Sequence, residues 1–324
     1  MGIVLKKRNR AGIHSPLAKP RGRSKITVSV LKIASLIGVL FVLVASQSAW
    51  AELTLFSQEV DIRFDAGYMF DDNVTRANVP ADKRGDNLYS TNLSGVMMLP
   101  LTGHLRGLLT ISVGGEVFEK YRGLNRFTES AQGELQYRGS AEFSSPTYGV
   151  FLRTFADQYD YGIRNGSRYS AGLNIRVPVT DRIRFFGAVA HNQRYAKSAV
   201  FNIMDDSARI NLDYALSSKG TLYMGAEMRN GDIVSTGEPS LEKIDIAYAF
   251  VPDAAFSGGQ MFSYRFKGTT LLYTLGYNYG LNSRNALDFS WRMIESRAAE
   301  RPSYSTTPSS YTVNQYSVVY LFSF

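Results

Sequence analysis

The 324 residues contain no cysteine, which removes disulfides, thiol catalysis and thiolate metal sites together. After residue 51 no apolar run approaches the roughly 20 residues that a membrane helix requires, and helical patterning is scarce. The first 51 residues hold no acid: Lys6, Lys7, Arg8, Arg10, Lys19, Arg21, Arg23, Lys25 and Lys32 are all of their charge. Set against a formal net charge of +8, those nine leave the rest of the chain at −1, so the basic balance is no nucleic-acid footprint.

What is present begins with a leader. The basic stretch runs into the apolar segment Ile33–Ala45 and then the small-residue site Ala49-Trp50-Ala51. This is the layout of a secretory signal peptide, and its 13 apolar residues are too few for an anchor. Residues 1–51 are expected to be cleaved, leaving 52–324 as one domain.

Along that domain the period is two. Ala208, Ile210, Leu212, Tyr214 and Leu216 share one face, and Arg209, Asn211, Asp213 and Ala215 the other. Val60, Ile62, Phe64, Ala66, Tyr68 and Phe70 likewise oppose Asp61, Arg63 and Asp65. Strands are expected at 60–70, 88–99, 105–118, 129–143, 147–160, 168–179, 183–195, 207–216, 220–230, 261–281, 286–297 and 311–324. At 243–268 the pattern is ambiguous. Ile244, Ile246, Tyr248 and Phe250 alternate like a strand, as do Phe262, Tyr264 and Phe266, and parity slips at Gly268. The slip reads as a bulge in one long strand, giving twelve strands, or as a turn between two, giving fourteen; twelve is preferred.

Segments of this length fit a tilted strand crossing a bilayer, which takes about 9–11 residues. Connections alternate between short, as at 144–146 and 180–182, and long, as at 71–87 and 230–260. Tyrosines near strand ends, among them Tyr68, Tyr148, Tyr169, Tyr277, Tyr279 and Tyr320, are placed as interfacial girdles. The chain closes on Tyr316, Val318, Tyr320, Phe322 and Phe324, all on one face. This segment resembles the C-terminal strand of Gram-negative outer-membrane β-barrel proteins. The resemblance implies an all-β, antiparallel up-and-down transmembrane barrel, porin-like in kind, inserted by the barrel-assembly machinery and surrounded by outer-membrane lipid and lipopolysaccharide. Only residues 52 to about 58 precede the first strand, which leaves no room for a plug or passenger domain.

If the apolar face meets lipid, the other lines a lumen. It carries Arg63, Arg106, Arg138, Arg153, Arg176, Arg184, Arg209, Arg229 and Arg292 beside Asp61, Asp65, Glu116, Glu134, Glu142, Asp157, Asp213, Glu227 and Asp288. Arginine's planar fork suits bidentate pairing with carboxylates. The ladder either lines a narrow pore for small polar solutes, with little charge selectivity, or braces the lumen shut; twelve strands lie between filled and open barrels. The expected function is a passive channel. The alternative is a non-conducting barrel that binds a partner or surface polysaccharide through the 230–260 loop, or that serves an export complex.

Barrel phospholipases place serine two residues from histidine. Here His191 is followed by Asn192 and Gln193, and His104 sits in a turn, so no enzyme activity is expected. Asp71, Asp72, Asn73, Asp82 and Asp86 offer oxygens in the first long loop, but their spacing matches no calcium loop. Neither metal nor cofactor is expected.

Overall fold

The computed structural model describes residues 54–55, 58–256, 260–305 and 309–324; the expected signal peptide lies outside the described residues. Twelve strands form the barrel: β1 (Gln58–Asp71), β2 (Asp86–Pro100), β3 (Leu105–Phe118), β4 (Arg126–Arg138), β5 (Thr147–Tyr159), β6 (Gly166–Pro178), β7 (Ile183–Ala196), β8 (Ile203–Ala215), β9 (Gly220–Gly237), β10 (Phe262–Gly280), β11 (Asn285–Ala298) and β12 (Ser310–Ser323). Each pairs antiparallel with its sequence neighbours, and β12 closes the ring onto β1 through Gln315↔Asp71 to Ser323↔Arg63. Closure leaves no open strand edge in the wall, as a bilayer interior demands.

The faces follow the alternation. Leu152, Leu173, Val189 and Ile210 are each more than half exposed on the outside, where water would make such a belt costly and lipid does not. Tyr137 and Tyr148 pair across β4 and β5 near the short-turn end, and Tyr68 and Tyr89 across β1 and β2 near the other. Two aromatic girdles result. Tyr316, Val318 and Tyr320 lie on the outer face of β12, with Phe322 packed edge-on against Phe324 at 4.6 Å.

Three strands depart from expectation; one of them, β8, begins at Ile203 rather than at 207. β4 stops at Arg138, not Phe143, so Glu142 is a turn residue and not a lumen one. The cause is local: Arg138 donates to the Glu142 carbonyl at 2.6 Å, and Ser145 N–H bonds the same oxygen at 3.0 Å. β9 runs on to Gly237, past Asn230.

The ambiguous stretch is neither bulge nor turn. The register of β9 with β10 is uninterrupted from Gly220↔Tyr279 to Gly237↔Phe262, through Gly231↔Gly268. What inverts is the environment. Below Gly268 the inner face is Thr270 and Thr274 in a polar lumen; above it the inner face is Tyr264 and Phe266, buried with Ile233, Ile246 and Ala298. At Gly231 the backbone has φ 156°, and a side chain would strike the Met204 carbonyl, so glycine is required where the hairpin leaves the wall. Residues 241–246 are a helix, α1 (Leu241–Ile246), capped by Ser240, whose hydroxyl accepts the Lys243 N–H at 3.5 Å. Ala249–Pro252 adds a short strand beside the projecting part of β10.

Candidate functional site

The lumen has three levels, counted from the short-turn end. At the lowest, Glu134 accepts Arg176 at 2.6 Å, Gln136 at 2.9 Å and Asn174 at 3.1 Å. Arg63 pairs with Asp61 on the same strand, Arg106 donates to Gln136 at 2.6 Å, and Tyr223 donates to Asp288 at 2.8 Å. Arg184 and Asp213 are cross-strand neighbours without an ion pair. Arg138 sits at this rim, tied to its own turn, and lines no constriction.

The middle level holds Arg153, Arg209 and Arg292, from β5, β8 and β11, every third strand of the ring. Glu227 is here too, but its carboxylate takes Arg229 Nε at 2.6 Å. At the upper level Glu116 pairs with Arg126, and Asp157 accepts Arg168 Nε at 2.6 Å and the Thr128 hydroxyl at 2.9 Å. Parity brings seventeen of the eighteen lumen candidates, all but Glu142, to the inner face of the ring. Arg126, Arg168, Arg194 and Asp205 also face inward and were not among those candidates; the same alternation would have found them. The equal tally of bases and acids conceals their pairing, which depends on cross-strand register.

Above this level the segment between β9 and β10 roofs the external mouth. It starts beside one wall and reaches the loop between β3 and β4, six strands away in either direction. There Phe256 meets Tyr121 at 5.4 Å, and Ala255 packs so close on Gly123 that a Cβ would lie 2.8 Å from Ala255 Cα. It also touches each remaining external loop. Asp253, fully buried, pairs with Arg164, which lies between Phe201 at 4.2 Å and Phe256 at 5.6 Å. Arg265 reaches the Asn202 carbonyl, Thr236 N–H bonds the Thr75 carbonyl at 2.9 Å, and Tyr304 donates to Asp245 at 2.8 Å. Burial pushes the Arg164 guanidinium below its usual pKa despite Asp253 beside it. Lys243, 2% exposed, stands 3.9 Å from Asp82 with no hydrogen bond to its ammonium among the described residues, and burial lowers its pKa. Between the roof and the middle level lies a chamber of about 480 Å³, lined in part by Arg126, Tyr159, Arg194, Asp205, Arg229 and Gln315.

The acidic first loop is internally satisfied. Asp71 holds Arg76 at 2.8 Å, Asp72 holds Asn314 at 3.0 Å, and Asp86 accepts the Lys120 and Tyr121 N–H groups. The oxygens point to different partners and do not converge. His191 faces outward and bonds Asp206 at 2.8 Å, with Ala171 as its other cross-strand neighbour.

No sequence family and no curated protein matches this chain. Solved structures do. The chain is similar to an outer-membrane channel from Pseudomonas putida F1, at 10% identity and TM-score 0.51 over 86% of this chain and 99% of that one. The NanC porin aligns at 10% identity and TM-score 0.43 over 81% of this chain and 98% of its own. The KdgM porin, solved with a disordered oligogalacturonate, aligns at 9% and 0.40 over 81% and 99%. The fold is that of a twelve-stranded outer-membrane β-barrel.

Proposed function

We propose that this protein is a passive outer-membrane channel for small polar solutes. The reading rests on one observation: a continuous inner lining of charged and amide side chains, from Arg106 at one end to Arg126 at the other, inside an apolar exterior. A barrel that needed only stability would gain nothing from desolvating so many charges, since buried ion pairs rarely outdo apolar packing. In this reading residues 1–51 are removed on export, and the aromatic face of β12 is offered to the barrel-assembly machinery. Lipid and lipopolysaccharide then meet the outer belt.

The roof favours a second reading, in which the barrel is closed at rest or serves a partner at the external face. Single-channel recording of the refolded mature protein in planar bilayers separates the two. Stable ohmic steps from the wild type support the channel. Silence from the wild type, with steps appearing in Arg164→Ala, would assign the roof as the closure; silence from both would refute conduction.

A further inference from the structure

Five arginines of the inner wall spend their charge on a carboxylate, Arg63 on Asp61 among them. Arg126, Arg168, Arg176 and Arg229 each have one within ion-pair distance. Arg153 and Arg209 have none among the described residues. Neutral groups fix them: Arg153 Nε donates to Gln132 Oε1 at 2.6 Å with its guanidinium 5.9 Å from the Phe155 ring, and the Arg209 guanidinium stands 4.9 Å from the Phe186 ring. Each ring also carries a second arginine, Arg168 on Phe155 at 4.1 Å and Arg176 on Phe186 at 5.4 Å. Phenyl faces and an amide orient a guanidinium without cancelling its charge.

These two charges stand at one level of the lumen, close enough to oppose one another, and Arg292, three strands on from Arg209, opposes Arg209 in turn. The acids nearest them are engaged elsewhere: Glu227, the cross-strand neighbour of Arg209, is held by Arg229, and Glu134 by Arg176. Like charges held together in a confined lumen favour an anion between them. Two amino groups on each fixed fork match the two oxygens of a carboxylate.

We infer that Arg153, Arg209 and Arg292 form an oxyanion-binding waist, and that the solutes this barrel passes carry carboxylates. The inference rests on the channel reading for its function, but not for binding. The probes are citrate, inorganic phosphate and neutral sorbitol, titrated calorimetrically into the detergent-solubilised, heat-modifiable barrel, alongside reversal potentials in a KCl gradient. Citrate is expected to bind, more tightly than phosphate, and sorbitol not at all. The double variant Arg153→Gln/Arg209→Gln should weaken citrate at least tenfold and move the anion-to-cation permeability ratio towards one. Arg209→Lys should recover part of both, and Arg63→Gln, which removes a paired arginine, neither. A wild type that conducts without binding citrate, or a double variant that binds it unchanged, overturns the waist and leaves the channel standing. Citrate bound and lost in the double variant of a barrel that never conducts upholds the waist and refutes the channel.

Discussion

Along β10 the residues on either side of Gly268 can be compared directly. Leu271, Tyr273 and Leu275 face lipid with Thr270 and Thr274 behind them; Tyr264 and Phe266 are buried inward with Arg265 and Lys267 on the other side. One strand in one register is inside-out in the wall and right-side-out in the roof. The solvent decides which. Lipid outside and water inside reward an apolar exterior, whereas the roof has water above it and must make its own core. Nearly all the buried apolar residues accordingly lie at the external end: Leu124, Val200, Phe201, Ile246, Phe256, Met261 and Tyr264 among them.

The comparison breaks hardest in the roof core. Phe256→Ala removes a ring buried among Leu124, Ala255 and Met261, at a cost of about 3–5 kcal/mol to roof docking. Proteolysis within 238–261 should become rapid while heat-modifiability on gels persists; if the barrel band is lost as well, wall and roof are a single cooperative unit. Val189→Arg should do the reverse. A guanidinium in the outer belt costs the barrel about 2–4 kcal/mol near the midplane, seen as a lower urea midpoint in lipid vesicles, with the roof as resistant to protease as before.

A third variant addresses the joint. Gly231→Ala places a side chain against the Met204 carbonyl at φ 156° and should cost roughly 1–3 kcal/mol. Faster amide exchange confined to 231–237 and 262–268 would place the pivot there; exchange spread along all of β9 would not. The smallest effect is electrostatic. Burial lowers the pKa of Lys243 in the docked roof, against roughly 10.4 for the free side chain. Below the lowered value both states are charged and the cost of burying that charge is felt in full. As pH rises towards the free value the docked state sheds its proton first, so docking tightens. Protection of 238–261 should therefore grow as pH rises towards the free lysine value, and Lys243→Met should flatten the rise.

The sequence carried the barrel well because period-two alternation is a local property of each strand. It carried the roof poorly for the same reason. Ile244 and Ile246 satisfy a strand pattern as well as a helical turn, and only the Ser240 cap distinguished them. Parity likewise assigned residues such as Arg153 and Arg176 to the inner face without saying which would find a carboxylate. Arg176 meets Glu134 from two strands away, and nothing near Arg153 in sequence says that its neighbour is an amide.

By itself the sequence determined a closed antiparallel ring of twelve or fourteen strands, with twelve preferred, which side of each meets lipid, and the aromatic belts, since those follow from alternation, length and the need to satisfy every backbone group in a bilayer. Only the tertiary structure decided that the longest loop crosses the mouth to the opposite wall, and that some lumen arginines meet a carboxylate while others do not. Both depend on distances between residues far apart in the chain, which the register of strands and the closure of the ring fix and no local pattern records.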